Sequence, residues 1–128
     1  MAQNYSWSFE INWVGTKQLG TSSEDRAYGV ATDSSGNVYV TGYTTGGLDG
    51  NTSAGSYDLF VVKYLDNGTK QWMKQLGTSS ADYASGVSTD SSGNFYVTGS
   101  TQGGLDGNTS AGSSDIFVVK YNSSGTKQ

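Results

Sequence analysis

The chain repeats itself. Residues 19–70 and 76–127 align at a constant offset of 57 with no gap, and 40 of the 52 aligned positions are identical. Gly36 returns as Gly93, Asp49 as Asp106 and Phe60 as Phe117. A period of this size marks a solenoid, a propeller or another stacked array. A unit of such an array cannot bury its apolar surface alone and must pack against copies of itself. Two units do not close a ring, so the repeat predicts self-assembly.

Composition narrows the class. The length of 128 residues is that of one ordinary domain. Hydrophobic residues make up only 34%, yet aromatics reach 12% and cluster with valine, which suits strands. There are 19 glycines and no proline, so Gly, Asn, Asp and Ser must build the turns. The net charge of −4, with basic residues scattered, leaves no footprint for nucleic acid. Without cysteine there are no disulfides or thiolate chemistry, and without histidine the commonest general base and metal ligand is missing. No apolar run approaches the roughly 18 residues of a membrane span. No signal-peptide pattern is present, and the start Met1-Ala2-Gln3-Asn4 reads equally as an ordinary N-terminus or as a mature one behind an added initiator.

Each repeat holds four strand-like stretches, in the first copy 27–32, 37–42, 58–64 and 69–76. Asp33-Ser34-Ser35-Gly36-Asn37 separates the first two and Asp66-Asn67-Gly68 the last two, both with hairpin chemistry. The second and third stretches are nearly continuous apolar runs, the pattern of a sheet buried on both faces. That favours stacked blades over a one-sided sandwich. The long loop from Thr44 to Gly55 is expected to project from one face of the assembly.

Asp33-Ser34-Ser35-Gly36-Asn37, then Tyr39-Val40-Thr41-Gly42, then Asp58-Leu59-Phe60-Val61-Val62-Lys63-Tyr64 and Gly68-Thr69-Lys70 together resemble the bacterial β-propeller repeat often called the SBBP repeat. The resemblance covers residues 19–127. It implies four-stranded blades around a channel, usually in secreted or cell-surface bacterial proteins, and no single activity. The family is associated with rings near seven blades, whereas this chain carries two repeats, which points to recent amplification or to a piece of a longer array.

The expected fold is therefore an all-β propeller of two four-stranded blades per chain, closed by oligomerisation through a shared, strand-exchanged blade. Residues 1–20 are expected to supply the outer strand of that shared blade, 21–77 to form the first blade, and 78–128 the second without most of its outer strand. Trp7–Asn12 and Trp13–Gly20 both imitate the outer-strand segment Trp72–Gly77; the second runs directly into the repeat and is preferred. A ring of whole chains has an even number of blades, six from a trimer or eight from a tetramer. Small inner-strand residues (Ala27, Gly29, Ala31) facing mid-sized Val and Leu lean towards eight.

Little in the sequence carries chemistry. Asp49, Asn51, Ser53 and Asp58, with their copies Asp106, Asn108, Ser110 and Asp115, are a weak calcium candidate, because no glutamate closes the loop. Asp25, Asp33 and Asp58 recur at Asp82, Asp90 and Asp115 at turns or strand starts, where aspartate usually bonds turn amides; Glu10 and Glu24 have no counterparts. No histidine can activate a serine, and Gly46–Gly50 lacks the ending of a phosphate loop. Tyr28, Tyr43 and Tyr57, replaced in the copy by Ser85, Ser100 and Ser114, are candidate exposed platforms for sugar stacking. The reading is a non-catalytic protein without cofactor whose partner is itself. The alternative is a binding module that takes a glycan or another surface ligand through its long loops.

Overall fold

The computed structural model describes residues 12–128. They form two antiparallel sheets. Blade 1 contains β1 (Asp25–Thr32), β2 (Val38–Thr44), β3 (Asp58–Tyr64) and β4 (Lys70–Leu76), in that spatial order. Blade 2 contains β5 (Asp82–Thr89), β6 (Phe95–Thr101) and β7 (Asp115–Tyr121), likewise in chain order. Asp33 shapes the first hairpin by accepting the amides of Ser35 and Asn37, while Gly36 takes φ of 80°. Such a left-handed angle costs glycine nothing. Asp90 repeats the arrangement with Ser92 and Asn94.

β1 starts earlier than its apolar pattern indicates, because Asp25 and Arg26 pair with Thr44 and Tyr43. Its register with β2 shifts between Ala27 and Gly29, which makes Tyr28 the extra residue of a β-bulge. Gly42 faces this bulge, and a Cβ there would run into the backbone of Arg26. Blade 2 repeats the shift around Ser85, with Gly99 against Tyr83.

The back of blade 1 packs on the front of blade 2. Tyr39, Leu59 and Val61 meet Phe95, Val97, Leu105 and Tyr121, flanked by Trp72 and Leu76. β1 and β5 come closest, where a Cβ on Gly29 would stand 3.1 Å from the Gly86 Cα. Further out the gap is filled by aromatic rings: Phe95 lies 4.8 Å from Tyr39, 5.4 Å from Trp72 and 5.0 Å from Tyr121. The expected mid-sized Val and Leu are present, but rings fill the gap beside them. The thickness comes from Phe95, which stands where the first copy has Val38.

β3 and β7 share six of seven residues but not their surroundings. β3 is buried throughout, while β7 alternates half-buried and exposed along most of its length. Leu59 and Val61 are 0% exposed, whereas their copies Ile116 and Val118 are 93% and 71% exposed. Blade 1 has a neighbour against its back; among the described residues the back of blade 2 has none.

The front of blade 1 carries a second cluster of Leu48, Phe60, Val62, Tyr64 and Met73, with Leu19 packed against it. Within the single chain residues 12–24 form no strand. The segment instead lies on blade 1 as β4 lies on blade 2. Trp13 meets Tyr64 at 5.6 Å and crowds Gly68, as Trp72 crowds Gly125. Leu19 joins the front cluster of blade 1, as Leu76 joins the interblade core. Of the other candidate, Trp7–Asn12, all but Asn12 lies outside the described residues, as do Glu10 and most of the segment 1–20. In blade 2, Lys127 makes a single bridge to Tyr121.

The long loop does not project freely. Leu48, 1% exposed, plugs into the front cluster from a 3-10 turn, Leu48–Gly50, and its amide donates to the Gln75 side chain at 3.0 Å. An apolar side chain in reach of Phe60 and Met73 is more stable buried than projecting. Leu105 does the same in blade 2.

Truncating Phe95 opens a cavity between the blades. Phe95→Ala is expected to cost about 3–5 kcal/mol, measured as a lower urea midpoint.

Candidate functional site

The calcium candidates do not converge. Asp49, held at φ of 51°, pairs with the Lys70 ammonium. The Asn51 side chain donates to the Leu48 carbonyl at 2.7 Å and the Ser53 hydroxyl to the Gly55 carbonyl at 2.9 Å. Buried Asp58 accepts the Ala54 amide at 2.6 Å and the Gln75 side chain at 2.9 Å. The copy matches: Asp106 pairs with Lys127, Asn108 donates to Leu105, Ser110 donates to Gly112, and Asp115 accepts from Ala111. Asn51 and Ser53 are spent on their own loop and Lys70 neutralises the exposed Asp49. Asp58 engages one oxygen, while its other, buried oxygen has no partner among the described residues. Among the described residues no three His, Cys, Asp or Glu side chains gather as a metal site would require.

The other repeated aspartates are staples. Asp25 accepts the Thr21 amide and the hydroxyls of Thr21 and Thr44, and Asp82 does the same with Thr78 and Thr101. Asp33 adds the Asn37 side chain and the Tyr39 hydroxyl to its turn amides. Burial alone raises the pKa of Asp25 and Asp33, but the hydrogen bonds they accept outweigh it and leave both below the ordinary 3.8. For Asp90 the Asn94 side chain is the leading cause of a lowering in the same direction.

The tyrosines do converge. Tyr28, Tyr43 and Tyr57 meet at the base of the long loop, joined by Tyr83 from blade 2. The Tyr28 ring stacks on Tyr43 at 5.7 Å and 23°, and the edges of Tyr57 and Tyr83 each meet Tyr43 at 5.2 Å. The Tyr43 hydroxyl donates to Glu24 at 2.7 Å, which raises the pKa of the phenol. Glu24 also pairs with Arg26 at 2.6 Å. The expectation of three exposed platforms needs correction: Tyr28 is exposed, Tyr57 partly so, and Tyr43 is buried under its neighbours. The site also lies at the root of the loop and not on it. Tyr83, Glu24 and Arg26 were missed, although each occupies a position where the repeats differ.

The SBBP family, described as a beta-propeller repeat, matches twice, at residues 14–49 and 71–106. Together the two matches take in more than half of the chain. The chain belongs to the SBBP β-propeller repeat family. Both SBBP matches have the same length and begin 57 residues apart, so the family unit opens on the segment ahead of each blade. In the second match that segment is β4; in the first it is the stretch from Val14 to Gly20. The comparison with curated proteins finds no match. Among the described residues no helix is long and apolar enough to cross a membrane.

The sign of the aspartate shifts gives a pH dependence. A depressed carboxyl pKa stabilises the fold fully above the ordinary 3.8 and loses that contribution as pH falls through the lower folded value. Asp33→Asn is expected to cost about 1 kcal/mol at neutral pH, allowing for solvent screening. It should also flatten the acid limb of a stability profile taken between about pH 5 and pH 2. EDTA is expected to leave the melting temperature unchanged, since Asp49 is already paired with Lys70; a drop of several degrees on calorimetry would show a cation in the loop.

Proposed function

We propose that this SBBP chain is non-catalytic and that its role is to assemble. Copies stack head to tail, the back of blade 2 on the front of blade 1 of the next copy, and close into a symmetric propeller that serves as a scaffold. One observation carries this: Ile116 and Val118 are exposed where their copies Leu59 and Val61 are fully buried against another blade of the same repeat. Each such side chain contributes about 1.5–3 kcal/mol when covered.

Charge supports a second copy as the occupant. At the joint within the chain, the Lys63 ammonium crosses to the Ser123 carbonyl of blade 2 at 3.1 Å. Its copy Lys120 lies on the exposed back of blade 2, and the counterpart of Ser123 is Asp66. In the proposed joint Lys120 would meet the main-chain carbonyl of Asp66, with the Asp66 carboxylate adding an opposite charge nearby. The segment from Trp13 to Leu19 supports strand exchange, because it already lies on blade 1 as an outer strand lies on the blade that follows it. In the ring it pairs beside β7 of the neighbouring copy and completes that blade. The non-catalytic reading draws on the repeated aspartates, each engaged in loop or strand hydrogen bonds. The family resemblance favours a secreted or cell-surface setting.

Rings of whole chains hold six or eight blades. Phe95 thickens the wedge within the chain, while Val38 thins the wedge between copies, so side-chain size no longer favours eight. Native mass spectrometry is expected to give three or four chain masses, and a single chain mass overturns the assembly. Val118→Lys should disperse the ring. Lys120→Asp should weaken it, and adding Asp66→Lys should restore it; a double variant no better than the single one rules out this pairing of faces.

A further inference from the structure

Twelve aligned positions differ between the two repeats, and the differences are not scattered. Five of them, 24, 26, 28, 43 and 57, fall in the tyrosine cluster, and Tyr83 is the copy of Arg26. Beside the cluster an open cleft of about 310 Å³, lined by Tyr28, Tyr43, Tyr83, Ala84 and Ser85, lies between the blades. That volume is at the lower end of the range for small-molecule sites.

We propose that this cleft binds a neutral carbohydrate, with a pyranose ring stacked on Tyr28 and its hydroxyls reaching Ser85 in the lining and the Glu24–Arg26 pair that adjoins the lining Tyr43. Tyr28 is the inserted residue of the bulge, a position that turns a side chain out of the regular alternation. It is 55% exposed, yet its ring plane is set by the stack on Tyr43, which Tyr57, Tyr83 and Glu24 hold in turn. A fixed aromatic face avoids the ordering cost of binding. The C–H face of a sugar is apolar and fits such a ring. Its rim of hydroxyls both donates and accepts, which suits a carboxylate paired with a guanidinium at 2.6 Å. The bulge itself does not require Tyr28: the same bulge in blade 2 carries Ser85 and forms equally well. An anionic ligand is opposed by Glu24 and by the net charge of −4. The cleft lies within one chain, so this proposal stands apart from the assembly.

The test is NMR titration of the full chain with cellohexaose, mannopentaose and tri-N-acetylglucosamine, with sialyllactose as the acidic control. Saturable binding of at least one neutral oligosaccharide is expected, with shifts centred on Tyr28 and Ser85. Tyr28→Ser, the residue found in the copy, should weaken binding about ten-fold or more while leaving the chain folded and the assembled mass unchanged. Tyr28→Phe should retain binding. The proposal is overturned if no neutral sugar binds, if sialyllactose alone binds, or if Tyr28→Ser leaves affinity intact. It is also overturned if Tyr28→Ser unfolds the chain and Tyr28→Phe, folded, binds nothing.

Discussion

Phe95 sits where two sheets meet, and the geometry of the chain follows from that contact. Its ring touches Tyr39 and Trp72 of blade 1 and Tyr121 of its own blade. At the inner edge, Gly29 and Gly86 let the backbones of β1 and β5 approach closely. Small residues inside and rings outside make a wedge, so successive blades must turn about an axis. A fold built in this way has no internal stop, because every blade has a back like the one before it. The apolar surface left on the back of blade 2 is a consequence of the repeat itself.

Much of this was legible in the sequence. The run Asp58–Tyr64 reads as a strand buried on both faces, and β3 is that strand. The turns at Asp33 and Gly68 followed from residue types that tolerate few alternatives. The start of β1 was not legible, because Asp25 and Arg26 are polar and are held there by pairing with Thr44 and Tyr43. Leu48 looked like one apolar residue in a glycine-rich loop, and only the position of Phe60 and Met73 beneath it explains its burial. The different environments of β3 and β7 are invisible to any local reading, since burial there depends on what lies opposite and not on the strand.

The candidate site was less legible than the fold. The spacing of Asp49, Asn51, Ser53 and Asp58 imitates a cation loop, but spacing does not specify direction. Lys70, 21 residues beyond Asp49, takes that carboxylate, and Gln75 takes Asp58. The tyrosines stand out in the sequence because they differ between the copies. Their convergence follows from the bulge at Tyr28 and from the way the β1–β2 edge of blade 1 faces β5, neither of which a one-dimensional pattern contains.

Repetition separates two kinds of residue. Asp25 and Asp82, Asp33 and Asp90, and the threonines and asparagines that bond them recur with the same partners at nearly the same distances. These staples belong to the blade and are needed wherever a blade occurs. The tyrosine cluster occurs once, at the joint inside the chain. In the proposed ring its counterpart, at the joint between copies, would carry Ser85, Ser100 and Ser114 from one chain and Arg26 from the next. A ring of such chains alternates an aromatic joint with a polar one, so its symmetry is that of the chain and not of the blade. A ligand at the proposed Tyr28 cleft would then bind once per chain, at every second joint of the proposed ring.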